Sequence, residues 1–143
     1  MMSELVVERA VPSDLPLLLA IDQPTDDGAA DRRSLLAAAV KRGDAYVARL
    51  ADDAVGFLVM DDLFFGRPFV CLLMVHPCHR RTGVGRALLT QMLDVRPGQQ
   101  VFTSTNLSNK PAQALFRQCG FRPCGIVSEL DPGDPELVFV RSV

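Results

Sequence analysis

A chain of 143 residues is one domain's worth of sequence and long enough to bury a core. It is 48% apolar and 22% charged with a net charge of −2, the profile of a globular protein with no basic face for nucleic acid or an anionic membrane. No apolar run approaches the roughly 18 residues that cross a bilayer. Met1-Met2-Ser3-Glu4 does not open a secretory signal, and Cys71, Cys78, Cys119 and Cys124 form no C-x-x-C pair. A cytoplasmic protein with reduced thiols is expected.

Along the chain, Leu5-Val6-Val7 reads as a short strand. Ser13 or Asp14 caps a helix running to about Ile21. Gln23–Ala30, rich in Pro, Asp and Gly, is a loop, and Asp31–Lys41 is a helix stopped by Gly43. Ala45–Leu50 and Ala54–Met60 form a hairpin about Asp52-Asp53. Phe69–Val75 is apolar throughout, as in a central strand covered on both faces. Val84, Ala87, Leu88, Met92 and Val95 have helical spacing, and Pro97-Gly98 closes that helix. Gln100–Ser104 is a strand. Ala112, Leu115, Phe116 and Cys119 stripe a further helix, capped by Ser108 or Asn109 and stopped by Gly120. Phe121–Leu130 and Glu136–Val140 form a last hairpin. The order β-α-α-β-β-β-α-β-α-β-β predicts an α/β fold in a single domain over residues 1–143, with a mixed, mostly antiparallel sheet of six or seven strands and helices on both faces.

The chemistry concentrates at Val75-His76-Pro77-Cys78-His79-Arg80-Arg81-Thr82-Gly83-Val84-Gly85, where the buried strand gives way to a helix. Glycines let the backbone turn with its N–H groups aligned, and the helix start adds unpaired donors and the positive end of the dipole. This is an anion site suited to a pyrophosphate, with Arg80, Arg81 and Arg86 nearby. R-x-x-G-x-G alone also fits a plain tight turn with solvated arginines. G-x-x-x-x-G-K-[ST] and G-x-G-x-x-G are both absent. His76, Cys78 and His79 have no second cluster to complete a tetrahedral set, so no metal is expected.

A second motif follows on the next helix: Asn109-Lys110-Pro111-Ala112-Gln113-Ala114-Leu115-Phe116-Arg117-Gln118-Cys119-Gly120-Phe121. With both motifs in order on elements of the right type, the sequence resembles the GNAT superfamily of N-acetyltransferases along its whole length. Phe64-Phe65-Gly66, Ser104–Asn109 and Gly133-Asp134-Pro135-Glu136 are similar to small, single-domain bacterial members. The resemblance implies acetyl-CoA as acyl donor, no metal, and direct attack by a primary amine in a ternary complex. It implies pantetheine bound along Leu73, Met74 and Val75, pyrophosphate on the backbone of Arg80, Arg81, Thr82, Gly83, Val84, Gly85 and Arg86, and further cofactor contacts from Asn109 and Phe116. The acceptor is a small-molecule or peptide amine, and a homodimer is compatible with the family.

Two departures bear on catalysis. The family often has a tyrosine, its usual acid, where this chain has Phe116; the only tyrosine, Tyr46, is on another strand. Ser108, Cys119 or water then stands in, or no acid is used. Many members carry a glutamate base on the fourth strand, yet Arg67–Val75 holds no carboxylate. Asp61, Asp62, Asp134 and Glu136 are the nearby candidates, and Glu136, opening the last strand, is favoured. Cys71 and Cys119 read as core. Phe64 and Phe65 line an acceptor pocket or a dimer contact, and Asp26, Asp27 and Asp31 read as a solvated loop. One rival reading is an acyl-CoA-binding sensor of the same fold without turnover. The other is a nucleotide-phosphate enzyme of another fold, which leaves the second motif unexplained.

Overall fold

Alternation between half-buried and exposed residues, period two, produces the first strand, β1 (Leu5–Arg9). The computed structural model describes residues 4–22 and 29–142. Pro12, whose fixed φ suits a first turn, opens a 3-10 turn at Pro12–Asp14 that runs into α1 (Leu15–Asp22). The loop read from Gln23 lies, through Gly28, outside the described residues. Helix α2 (Ala29–Arg42) starts two residues before Asp31. Asp31 in its first turn and Lys41 and Arg42 in its last complement the dipole, and Gly43 ends it at φ +81°.

Strands β2 (Ala45–Leu50) and β3 (Asp53–Phe64) turn on Ala51 and Asp52, not on Asp52-Asp53. Both turn residues have positive φ, +50° and +72°, the twist a two-residue hairpin loop requires. Strand β3 runs on past Met60 to Phe64 and meets β4 (Arg67–Val75) through a second such turn at Phe65 and Gly66, φ +53° and +75°. Then follow α3 (Val84–Val95), β5 (Val101–Asn106), α4 (Lys110–Gln118), β6 (Arg122–Val127) and β7 (Glu136–Arg141). Strand β6 is shorter than the Phe121–Leu130 expected, because its register slips between Pro123 and Gly125 and the chain bends after Val127.

The seven strands form one sheet in the order β1-β2-β3-β4-β5-β7-β6. Strands β4 and β5 pair in parallel, Phe69 with Phe102 and Val70 with Thr103, whereas β1-β2, β2-β3, β5-β7 and β6-β7 are antiparallel. With four α-helices among the described residues this is the mixed, mostly antiparallel α/β fold expected.

The chain divides into two units, Met1–Met60 with Leu72–Gln91, and Asp61–Cys71 with Met92–Val143. The first buries Leu18, Leu36, Val47, Phe57, Leu58, Leu88 and Leu89. The second buries Val101, Phe116, Phe121 and Phe139, and its Thr103 hydroxyl satisfies itself on the Val70 carbonyl at 3.1 Å.

In the first unit a buried carboxylate ties β2 to the turn before α1. Asp14 is 4% exposed. It accepts the Val11 N–H at 2.8 Å and both its oxygens take Arg49 Nη2, at 2.8 and 2.9 Å. Burial alone pushes this carboxyl up, but the Val11 N–H and the Arg49 guanidinium outweigh it and hold it below the usual carboxylate range. Asp14 therefore contributes stability that is present above the unfolded-state pKa and is lost as pH falls through the lower folded-state value. Asp14→Asn is expected to lose roughly 2 kcal/mol in urea unfolding at neutral pH. The gap to the wild type should close as the pH is lowered and the native carboxylate itself takes a proton.

Candidate functional site

The glycine-rich loop lies wholly in the first unit. The residues leading into it, Leu72–Val75, are half-buried rather than sealed on both faces as the apolar run suggested. His76 N–H donates to the Val55 carbonyl at 2.8 Å, fixing where β4 ends. Pro77–His79 then makes a 3-10 turn, whose Cys78 N–H is taken by His76 Nδ1 at 3.1 Å. That imidazole nitrogen is spent on its own backbone. Among the described residues no three His, Cys, Asp or Glu side chains gather as a metal site. The Thr82 hydroxyl donates to the His79 carbonyl.

Arg81 and Gly83 both take positive φ, +63° and +89°. For arginine this is strained, by about 1–3 kcal/mol, whereas glycine adopts it freely. Helix α3 begins directly after, its first bond running from Ala87 N–H to Gly83 O at 3.0 Å. The N–H groups before Ala87 have no partner within the helix. The first turn holds no acid to neutralise the positive helix end. Arg80, Arg81 and Arg86 are exposed and make no ion pair among the described residues. A Cβ built on Gly83 would meet nothing within 4 Å, so the approach to these donors is open. Unpaired donors, free cations and open space fit an anionic ligand.

The residue that seats this loop escaped the sequence reading. Gly56, within β3, faces the start of α3. A Cβ there would lie 2.7 Å from Val84 Cγ1, 3.0 Å from the Met74 carbonyl oxygen and 3.3 Å from Leu88 Cδ1. Val84 is a short branched side chain and Met74 O is backbone, so neither yields cheaply. The available signal was a lone glycine inside an otherwise apolar strand, which often marks a close approach. Gly56→Ala is expected to cost about 1–3 kcal/mol in denaturant unfolding. Amide exchange should rise most over Thr82–Leu88.

The other expected residues stand in the second unit. Asn109 caps α4, its Oδ1 accepting Ala112 N–H at 3.2 Å, which leaves its amide hydrogens to donate outward. Phe116 is 4% exposed and packs edge-on against Phe139 at 5.4 Å and near Phe121 at 6.0 Å. Ser108 is held by a residue 26 positions away: its N–H and hydroxyl donate to the two oxygens of Asp134, at 3.0 and 2.5 Å. Beside it, Asn106 Nδ2 donates to Asp131 Oδ2 at 2.9 Å and to the Asp134 carbonyl at 3.0 Å. Gln113, 8% exposed, ties down the Asn106 and Leu107 carbonyls. Glu136 pairs with Asn106 across the sheet, half-buried, its carboxylate without a hydrogen bond among the described residues. The structure thus brings Asn106, Ser108, Asp134 and Glu136 together at the end of β5.

The remaining candidates divide. Asp61 accepts the Cys71 thiol at 3.1 Å and the Leu63 N–H at 3.0 Å, and Asp62 pairs with Arg96 at 3.3 Å. Phe64 stacks on Phe69 at 4.9 Å, whereas Phe65 is 89% exposed. In the first unit, Tyr46 is buried with its hydroxyl accepting from Arg9 at 3.1 Å. Asp26 and Asp27 lie outside the described residues, and Asp31 is in the first turn of α2. Asp22, which the reading passed over, is buried against Arg32 at 2.6 Å. Burial pushes its carboxyl up, and the guanidinium only partly offsets this. An open recess lined by Glu4, Val6, Glu8, Arg49, Ala51 and Asp52 holds the Arg49–Glu8 ion pair and shares no residue with the glycine loop.

Residues 41–123 match the family model described as an acetyltransferase (GNAT) domain. Over 82 residues, 55% of this chain, the sequence is 35% identical to an uncharacterised protein of Mycobacterium leprae. Over a segment of the same length it is 33% identical to the N-alpha-acetyltransferase RimI of Mycobacterium tuberculosis. These segments span 23% and 52% of the two relatives' own lengths. The crystal structure of a GNAT-family acetyltransferase from Bacillus cereus superposes with a TM-score of 0.90 at 34% identity, covering 98% of this chain and 99% of that one. The ribosomal-protein-S18-alanine N-acetyltransferase of Escherichia coli shares the fold, with a TM-score of 0.80 at 19% identity over 98% of this chain and 96% of that one. The glycine-rich loop, the helix it opens and the whole of the second motif fall inside the matched region, and the chain belongs to the GNAT acetyltransferase family.

Proposed function

We propose that this protein is an N-acetyltransferase, one domain that moves the acetyl group of acetyl-CoA onto a primary amine by direct attack within a ternary complex. The observation that carries the reading is the open start of α3, where unpaired N–H groups, three exposed arginines and the absence of any first-turn acid suit a pyrophosphate. In this reading the backbone from Arg80 to Arg86 holds the diphosphate. Leu73, Met74 and Val75 run along the pantetheine, and one of their N–H groups polarises the thioester carbonyl. Asn109 donates to the pantetheine from the head of α4.

Most of the rate comes from holding two substrates in register. Phe116 offers no proton, so proton handling falls to Ser108, to Asp134 in the β6–β7 connection and to Glu136 at the start of β7. The acceptor is a small-molecule or peptide amine. No helix among the described residues is long and apolar enough to cross a membrane. The exposed, free thiols of Cys78 and Cys124 suit a reducing cytoplasm.

The test is isothermal titration with acetyl-CoA, with ATP and NAD as controls, on the wild type, Gly83→Asp and Gly83→Asn. Asp and Asn meet the positive φ equally, so their difference isolates charge at the diphosphate. Acetyl-CoA alone should bind, and Asp should weaken it about tenfold relative to Asn, or 1.4 kcal/mol. Equal affinities would remove the diphosphate from this loop. Binding with no acetylation of any amine would favour the sensor reading, to which the buried Phe116 already lends weight.

A further inference from the structure

The Ser108–Asp134 pair fixes the direction in which Ser108 can handle a proton. An ionised carboxylate only accepts, so at 2.5 Å the Ser108 hydroxyl hydrogen lies toward Asp134 Oδ2. The second carboxylate oxygen is held by Ser108 N–H at 3.0 Å, which prevents the carboxylate from rotating away. What Ser108 Oγ presents outward is lone pairs. The support behind it is rigid: Asn106 bonds both Asp131 and the Asp134 carbonyl, Leu107 N–H bonds the Pro135 carbonyl at 2.8 Å, and Asp134 N–H bonds the Asp131 carbonyl at 3.0 Å. Two of these bonds fall on Ser108 itself, and the others hold Asp134 and its turn in place behind it.

We infer that Ser108, polarised by Asp134, is the group that receives the proton of the acceptor amine. The inference rests on the reading above, in which the neighbouring Asn109 lies on the pantetheine. As the amine nitrogen bonds to the acetyl carbon, its N–H proton passes to Ser108 Oγ while the hydroxyl proton passes to Asp134 Oδ2. The C–S bond breaks with its electron pair on sulfur, and the proton on Asp134 returns through Ser108 or solvent to the thiolate. Atoms and charge balance: amine and acetyl-CoA give amide and free CoA thiol. Ser108 touches the substrate and is the catalytic residue; Asp134 is its positioning residue and proton sink.

Asp134→Asn tests this because it keeps the shape and inverts the polarity. The amide oxygen can still take Ser108 N–H, but its NH2 donates to Oγ and turns the hydroxyl hydrogen outward. The probe amine is hydroxylamine, small and uncharged near neutrality, with the uncatalysed rate subtracted. Thermal midpoints and acetyl-CoA titration accompany each variant. Asp134→Asn and Ser108→Ala should each lower kcat about 100-fold while acetyl-CoA affinity holds. The double variant should lose no more than either alone. In mixed light and heavy water, the wild-type rate should bow with deuterium fraction, as for protons moving in concert, and the Asp134→Asn rate should fall on a straight line. Glu136→Gln should keep the bow. A purely structural pair would lower the thermal midpoint and leave the bow in place, which overturns the inference. So would an Asp134→Asn enzyme as fast as wild type, the result expected of a serine proton donor, or a bow abolished by Glu136→Gln instead. A wild type that binds acetyl-CoA without accelerating hydroxylamine acetylation also overturns it, whereas failure to bind acetyl-CoA overturns the parent reading.

Discussion

The close approach of α3 to β3 at Gly56 is the constraint on which the glycine-rich loop depends. With hydrogen in place of a methyl group, Val84 seats its side chain where a Cβ would stand 2.7 Å from Cγ1. Once Val84 and Leu88 are buried there, the axis of α3 is set. Four residues, Arg80 to Gly83, must then lead from the Pro77–His79 turn to Val84. The hydrogen bond from His76 to Val55 fixes the near end of that span in the same unit. Between two fixed ends the chain can close only by turning sharply, and it does so through the positive φ of Arg81 and Gly83. The unusual backbone is thus a product of packing, and the aligned N–H groups are its consequence.

Electrostatics then favours an anion. A helix start commonly carries an acid in its first turn to offset the dipole, as Asp31 does in α2. Helix α3 places Arg86 there instead and leaves Arg80 and Arg81 without acidic partners among the described residues. Like charges gathered at the positive end of a helix raise the energy of the protein by itself. A polyanion bound there, as proposed, would relieve that repulsion and turn the cost in the free state into affinity. Elsewhere in the first unit Arg49 pairs with Asp14 and Glu8, Arg32 with Asp22 and Arg42 with Asp44, while Arg9 donates to the Tyr46 hydroxyl and Arg33 makes no ion pair among the described residues.

The features legible in the sequence were those set by short-range periodicity and backbone chemistry. Helix α3 falls on Val84–Val95 as its apolar spacing required, and α4 stops before Gly120, at φ +88°. The two family motifs stand on those elements, which is why the family could be recognised. Features set by distant partners were not legible. The Ala51–Asp52 turn follows from the β2–β3 register, and Asp52-Asp53 looks equally turn-like by composition. The extension of β3 to Phe64 depends on a cluster with Phe69 and Phe102, too far along the chain for a local pattern to reveal. Gly56 gives a weak local signal whose meaning appears only once Val84 is beside it. The Ser108–Asp134 pair spans a helix and a strand, and no spacing rule joins its members.

In the proposed function the backbone between Arg80 and Arg86 carries the charged end of the acyl donor. Backbone amide resonances followed during titration with acetyl-CoA test it most directly. The largest shifts are expected at Thr82 through Arg86, with a second group at Leu73–Val75, and none of comparable size around Glu4, Glu8 and Asp52. Shifts centred on that β1–β2 recess, with Gly83 and Gly85 unmoved, would contradict it.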